Sequence, residues 1–219
     1  ERLRRYGDDH PYVAVSLRRL AGLYATWGRS EDAFVPARRA REIVERRAKE
    51  RGKEGSSLAS TLDLLGRLEM DAGNLAEAKD LLSRAKGIRE GLAGRPGIER
   101  SLQNLAQLAL KQGELDRAEV LLEEASSASE GYPEDHWVLA HARSLRGALL
   151  AARGDEKAAR ELLRTAYERL LEVRGPRASV NREAEARLRA LEASAPQGDQ
   201  GEASTAGEPS AEEPSVSMR

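Results

Sequence analysis

The stretch Gly73-Asn74-Leu75-Ala76-Glu77-Ala78-Lys79-Asp80-Leu81-Leu82-Ser83-Arg84-Ala85 decides the fold. A glycine is followed five residues on by one alanine, Ala78, and seven further by another, Ala85. The same spacing recurs in Gly28-Ala33-Ala40, Gly113-Ala118-Ala125 and Gly154-Ala159-Ala166, so that successive copies start 45, 40 and 41 residues apart. A period in this range predicts a stacked helical array, because one helix pair cannot bury its apolar face without neighbours.

Outward from the glycine, each copy reads as two helices. Val13, Leu17, Leu20, Ala21 and Tyr24 fall on one helical face, and Gly28 stops that helix by taking a left-handed conformation. Ser30 is expected to cap the second helix, which carries Ala33, Phe34, Ala37, Ala40 and Ile43. In the next copy Leu58, Leu62, Leu65 and Gly66 precede the glycine, Asn74 is the expected cap, and Leu81 and Leu82 follow. Leu102, Leu105, Ala106 and Ala109 precede Gly113, while Leu145, Leu149 and Leu150 precede Gly154 with Asp155 as cap. Pro and Gly break the longer connections, as in Asp8-Asp9-His10-Pro11 and Gly94-Arg95-Pro96-Gly97.

The expected organisation is the end of a preceding repeat and linker at 1–11, then repeats at about 12–51, 57–93, 98–130 and 136–174. A capping helix at 178–193, with Val180, Ala184, Leu188 and Leu191, closes the array that spans 12–194. Residues 195–219 are rich in Ser, Glu, Pro and Gly and are expected to be a disordered tail. The fold class expected is all-α, a right-handed α-α superhelix of four helix-turn-helix repeats.

Charge is balanced at 36 basic and 37 acidic residues, and removing the tail leaves 35 against 32, so no strong field draws the chain toward nucleic acid. Arginine outnumbers lysine 30 to 6, and only eight aromatic residues are present, without the basic-aromatic alternation that would stack bases. There is no cysteine, which excludes disulfides and thiolate metal sites. No apolar run is long enough to span a bilayer, so no membrane partner is expected and the compartment expected is cytoplasmic. The lack of an initiator methionine suggests a piece of a longer chain.

The set Leu17-Leu20-Ala21-Tyr24-Ala33-Ala40, with Leu62-Leu65-Gly66-Ala78-Ala85 and Leu102-Leu105-Ala106-Ala118-Ala125, resembles the tetratricopeptide repeat family. The longer period and Asp9-His10-Pro11 resemble its kinesin light chain type. Glu134-Asp135-His136-Trp137 and Arg143-Ser144-Leu145-Arg146-Gly147 are similar to the last repeat of bacterial arrays that follow a eukaryotic-like serine/threonine kinase domain. That second likeness implies a kinase upstream.

The family resemblance implies that the first helix of each pair lines a concave face. Its candidate ligand-binding residues are then Arg18 and Arg19, Asp63 and Arg67, and Arg100, Gln103, Asn104, Gln107 and Lys111. Leu64, Asp71, Leu145, Ala148 and Ala152 complete the face. Guanidinium and amide groups held at fixed positions suit peptide backbone and carboxylates through charge-assisted hydrogen bonds. The light-chain type places asparagine at the position of Asn104 in each repeat, whereas the equivalents here are Arg19, Leu64 and Leu145.

Nothing in the residues assembles a catalytic centre, and no metal or cofactor is expected. His10, His136 and His141 read as loop or helix-start residues, since five residues separate the last two instead of the four that would put them on one helix face. Carboxylates beside arginines, as in Glu99-Arg100 and Glu183-Ala184-Glu185-Ala186-Arg187, read as solvated helix faces. The expected function is non-catalytic protein or peptide binding in a preformed groove. The alternatives are the regulatory or recruiting region of a serine/threonine kinase and a self-associating structural module.

Overall fold

The computed structural model describes residue 7, residues 9–175 and residues 178–194. Of the expected preceding-repeat end and linker at 1–11, residues 1–6 and 8 lie outside the described residues, as does the expected tail at 195–219. Among the described residues the chain is helical without strands: α1 (Pro11–Thr26), α2 (Ser30–Arg51), α3 (Ser56–Asp71), α4 (Leu75–Glu90), α5 (Ile98–Gln112), α6 (Leu115–Ser127), α7 (Trp137–Ala152), α8 (Glu156–Arg174) and α9 (Ser179–Ser194). Consecutive helices pair as α1 with α2, α3 with α4, α5 with α6 and α7 with α8, and each pair packs on the next in a right-handed solenoid. No described helix is long and apolar enough to cross a membrane.

One turn, used four times, makes the pairs. Gly28, Gly73, Gly113 and Gly154 all have φ between 73° and 88°, the left-handed region open to glycine. In each, the N–H one residue past the glycine donates to a carbonyl five residues back: Arg29 to Tyr24, Asn74 to Glu69, Glu114 to Ala109 and Asp155 to Leu150, at 2.8–3.0 Å. This satisfies carbonyls that a helix end would otherwise leave unpaired and folds the chain back on itself.

The eight alanines of the pattern, all on the second helices, are buried. Small residues on the facing helix allow the approach: an ideal Cβ on Gly66 would lie 2.7 Å from Leu82 Cγ, and one on Gly147 would lie 2.7 Å from Leu163 Cγ. Gly66→Ala should therefore lower stability, because overpacking costs about 1–3 kcal/mol against a helix-propensity gain of about 1 kcal/mol. At Gly22 an added Cβ meets nothing within 4 Å. Thermal melts of Gly66→Ala and Gly22→Ala should move in opposite directions.

The capping expectations divide. Asp155 Oδ1 accepts from the N–H of Ala158 at 3.1 Å, as expected of a cap. Ser30 is already inside α2, and Arg29 occupies the capping position, its side chain donating to Asp32 at 2.7 Å and accepting nothing from the helix start. Asn74 does hold the capping position, but its amide donates to the buried Glu69 carboxylate at 2.8 Å and its Oδ1 accepts no N–H of the helix start.

Helix α9 packs on α8 and α7. Val180 and Ala184 join Leu170 in one apolar cluster, and Leu191 joins Ala159 and Leu163 in another. Asn181 fixes its start by donating to the carbonyls of Leu170 and Gly175.

Candidate functional site

The first helices α1, α3, α5 and α7 present one continuous inner face, and α9 lies against it. Hydrogen bonds to each of the four first helices place α9 there. Arg182 donates to the carbonyl of Ala25 at the end of α1 at 2.8 Å, and Arg67 of α3 donates to Glu183 Oε1 at 2.8 Å. Gln107 of α5 donates to Glu183 Oε2 at 3.2 Å, and Arg187 donates to Ser144 Oγ of α7 at 3.0 Å. Ser179, which also accepts from Arg67, Glu183 and Arg187 recur every fourth residue, so one stripe of α9 faces the partners on α3, α5 and α7. The helix expected only to cap the last repeat thus also spans the inner face from the first repeat to the fourth.

That placement corrects two expectations. Glu183 and Arg187, read as a solvated face, are drawn half-buried into the groove by tertiary partners, and Glu99 is buried outright. His141, read as a loop or helix-start residue, is buried in the body of α7, whereas His10 and His136 do cap α1 and α7 by accepting from Tyr12 and Val138 N–H. Gln103 donates to the carbonyl of Val138 at 3.1 Å, which aims its Oε1 at His141 Nδ1, 2.8 Å away. Nδ1 must then carry the proton, leaving the Nε2 lone pair without a partner, 3.9 Å from Glu183.

Electrostatics follow from this burial. Desolvation lowers the His141 pKa to about 3; Glu183 opposes the shift, and Arg187 and Arg67 add to it. Burial alone would raise the Glu183 carboxyl, but Arg67 foremost, then His141, Arg187 and the Gln107 amide, bring it down to about 2. Glu183 is a carboxylate and His141 a neutral imidazole at neutral pH.

Beside the start of α9 the face opens into a cleft of about 250 Å³. Asp63, Leu64 and Arg67 line it from α3, Arg100, Gln103 and Asn104 from α5, and Trp137 and His141 from α7. Arg174 stacks over the Trp137 ring, 4.9 Å from its centroid. Asp63 is engaged beneath the cleft: its Oδ2 is 2.5 Å from Arg89 Nη1, and its Oδ1 accepts from Ser101 Oγ at 3.0 Å. Arg18 donates to the carbonyl of Ser57 at 3.3 Å, and its guanidinium is held below its ordinary pKa by burial and then by Arg100, Arg19 and Arg89, with Asp63 opposing. Positive charge is crowded here.

The structure thus sorts the residues expected to bind a ligand. Arg67 and Gln107 hold Glu183, Gln103 joins α5 to α7, and Asp63 belongs to the Arg89 cluster. Arg100 and Asn104 line the open cleft, with Arg18 close by. Arg19 is exposed on α1, and Lys111 lies apart with Asp71 and Gln107 in a second cleft of about 390 Å³. Leu145 is buried in the core and presents nothing to the groove. Glu183, Arg187, His141, Trp137 and Arg174 were not singled out for the groove by sequence reasoning, and no local pattern marks them.

Comparison with known proteins agrees with this architecture. Residues 57–131 match the family model described as tetratricopeptide repeat. A crystal structure of kinesin light chain nearly identical TPR-like repeats from Podosopora anserina superposes with a TM-score of 0.56 at 20% identity, covering 84% of this chain and 87% of that one. A single-substitution variant of those repeats gives 0.57 at 21% over the same shares. BtubC (BKLC) from P. vanneervenii gives 0.49 at 17%, covering 91% of this chain and 95% of that one. A search of curated proteins returns no match.

Proposed function

We propose, from the premise that residues 57–131 are tetratricopeptide repeats and that the flanking helix pairs repeat their geometry, that this chain is a non-catalytic scaffold holding a protein partner on its inner face. The cleft beside α9 takes an acidic segment of that partner. One observation carries the reading: Arg100 lines the cleft with Arg18 close by, and of the acids near them Asp63 is already paired with Arg89 while Glu99 meets Arg100 only at 3.7 Å. Asn104 lines the same cleft and suits peptide backbone, since its amide both donates and accepts. A groove fixed in advance by helix packing and by α9 loses little entropy on association.

If the array serves as the recruiting arm of a serine/threonine kinase, as the likeness of residues 134–147 implies, the groove chemistry is the same and the kinase motifs lie upstream. Stacking of copies end to end is disfavoured at the C-terminal end, where α9 covers α8.

Fluorescence polarisation with peptide pools of graded acidic content tests the proposal. Acidic pools should bind in a salt-sensitive way, and Arg18→Ala with Arg100→Ala should weaken them by about tenfold or more, the worth of one charge-assisted hydrogen bond. Lys111→Ala should leave binding unchanged. Equal binding of acidic and basic pools, or indifference to both arginines, would refute the assignment.

A further inference from the structure

The outer stripe of α1 exposes two leucines at positions where later repeats bury leucine. Leu20 and Leu23, at i and i+3, are 39% and 48% exposed. In register with the turn glycines, Leu20 corresponds to Leu65 and Leu105, and Leu23 to Leu68, Leu108 and Leu149. These five equivalents are all 5% exposed or less.

The preceding repeat is what buries them. Leu65 and Leu68 share a core cluster with Ala37, Ala40, Ile43 and Val44 of α2. Leu105 and Leu108 share one with Met70, Ala78 and Leu82 of the second repeat. Before α1, the chain enters as it does before α7, through an Asp-His pair whose histidine caps the helix. Asp9 of that pair is held by Arg46 at 2.6 and 2.8 Å and by Arg39 at 3.1 Å, so the entering backbone is anchored to α2.

We propose that this stripe is a docking surface for one more helix pair of the same repeat kind, supplied in cis by the chain N-terminal to α1. The occupant is specified by the array: in every later repeat the cover comes from the helix pair whose end leads into the connection before the first helix. A second copy stacking head to tail would have to present α8, the last second helix, and α9 covers it. The inference is independent of the groove and stands or falls separately from it.

The chain has no cysteine, so a single introduced thiol reports one site. Leu23→Cys, with Leu20→Cys as a second reporter on the same stripe, is compared with Val120→Cys on the outside of α6, which is 52% exposed. In the chain of 219 residues a maleimide should label all three at similar rates. In the chain extended upstream in its own reading frame by about 40 residues, one repeat length, labelling at both α1 sites should slow by about tenfold or more while Val120→Cys is unchanged. Fast labelling of α1 in the longer chain, or an upstream frame without a helix-pair pattern, would overturn the proposal. So would protection in the shorter chain accompanied by a dimer mass in light scattering, which would make a second copy the occupant.

Discussion

Acidification below about pH 6.5 is expected to destabilise the folded chain before most of its carboxylates titrate, and His141 is the residue responsible. The folded state holds His141 neutral because its pKa is lowered from 6.5 to about 3. The unfolded chain accepts a proton there as soon as the pH falls through 6.5. Between these values the unfolded state binds more protons, so stability rises with pH across the window, is complete above it and is lost on descent. By pH 4 the loss from this one group is about 3 kcal/mol, at 1.36 kcal/mol for each unit between the two states.

The groups facing His141 determine how the effect is isolated. Gln103 fixes the proton on Nδ1, Glu183 lies 3.9 Å from Nε2, and Arg67 and Arg187 add positive charge nearby. Glu183 contributes its own window lower down, from 4.5 to about 2, with the same sign. His141→Asn keeps a donor where Nδ1–H stood and removes the titrating ring. Urea midpoints measured from neutrality downward should fall for the parent chain below about pH 6.5 and stay level for His141→Asn until about pH 4.5. Equal slopes for the two chains would show that His141 is not the titrating group.

How much of this could be read in advance depends on whether the cause is local. Gly73, Ala78 and Ala85 announce their roles because a left-handed turn and a close helix approach admit few residue types, and the period repeats the message. Asp155 was legible as a cap for the same reason, whereas Asn74 was lost to Glu69, whose carboxylate no helix pattern reveals as buried. The groove was legible only as a face. Which polar groups on it stay free is decided by α9, which follows Gln107 by more than seventy residues and recruits Arg67 and Gln107 to Glu183. In a chain with 30 arginines, nothing separated Arg187 or Arg89 from the solvated majority.

Arg89→Met should be among the most damaging single substitutions outside the apolar core, with a loss of about 3–5 kcal/mol, because it breaks a buried ion pair on one side only. Arg89 is 1% exposed and 2.5 Å from Asp63 Oδ2. It also donates to Ser101 Oγ, to Ser60 Oγ at 3.3 Å and to the carbonyl of Pro96 at 3.2 Å. One side chain from the second helix of the second repeat therefore ties α3, the turn after α4 and the start of α5 together beneath the cleft. Without it Asp63 is left buried with Ser101 as its remaining partner. The cost then comes mainly from that stranded carboxylate, not from a lost attraction, so removing it as well should recover most of the stability. Chemical unfolding of Arg89→Met, Asp63→Leu and the double variant separates the two accounts. A double variant clearly more stable than Arg89→Met supports the stranded charge, and additive losses would mean that each side chain acts alone. Because each repeat is stabilised by its neighbours, the single variant should also loosen the angle between the second and third repeats and weaken acidic peptides at the cleft above.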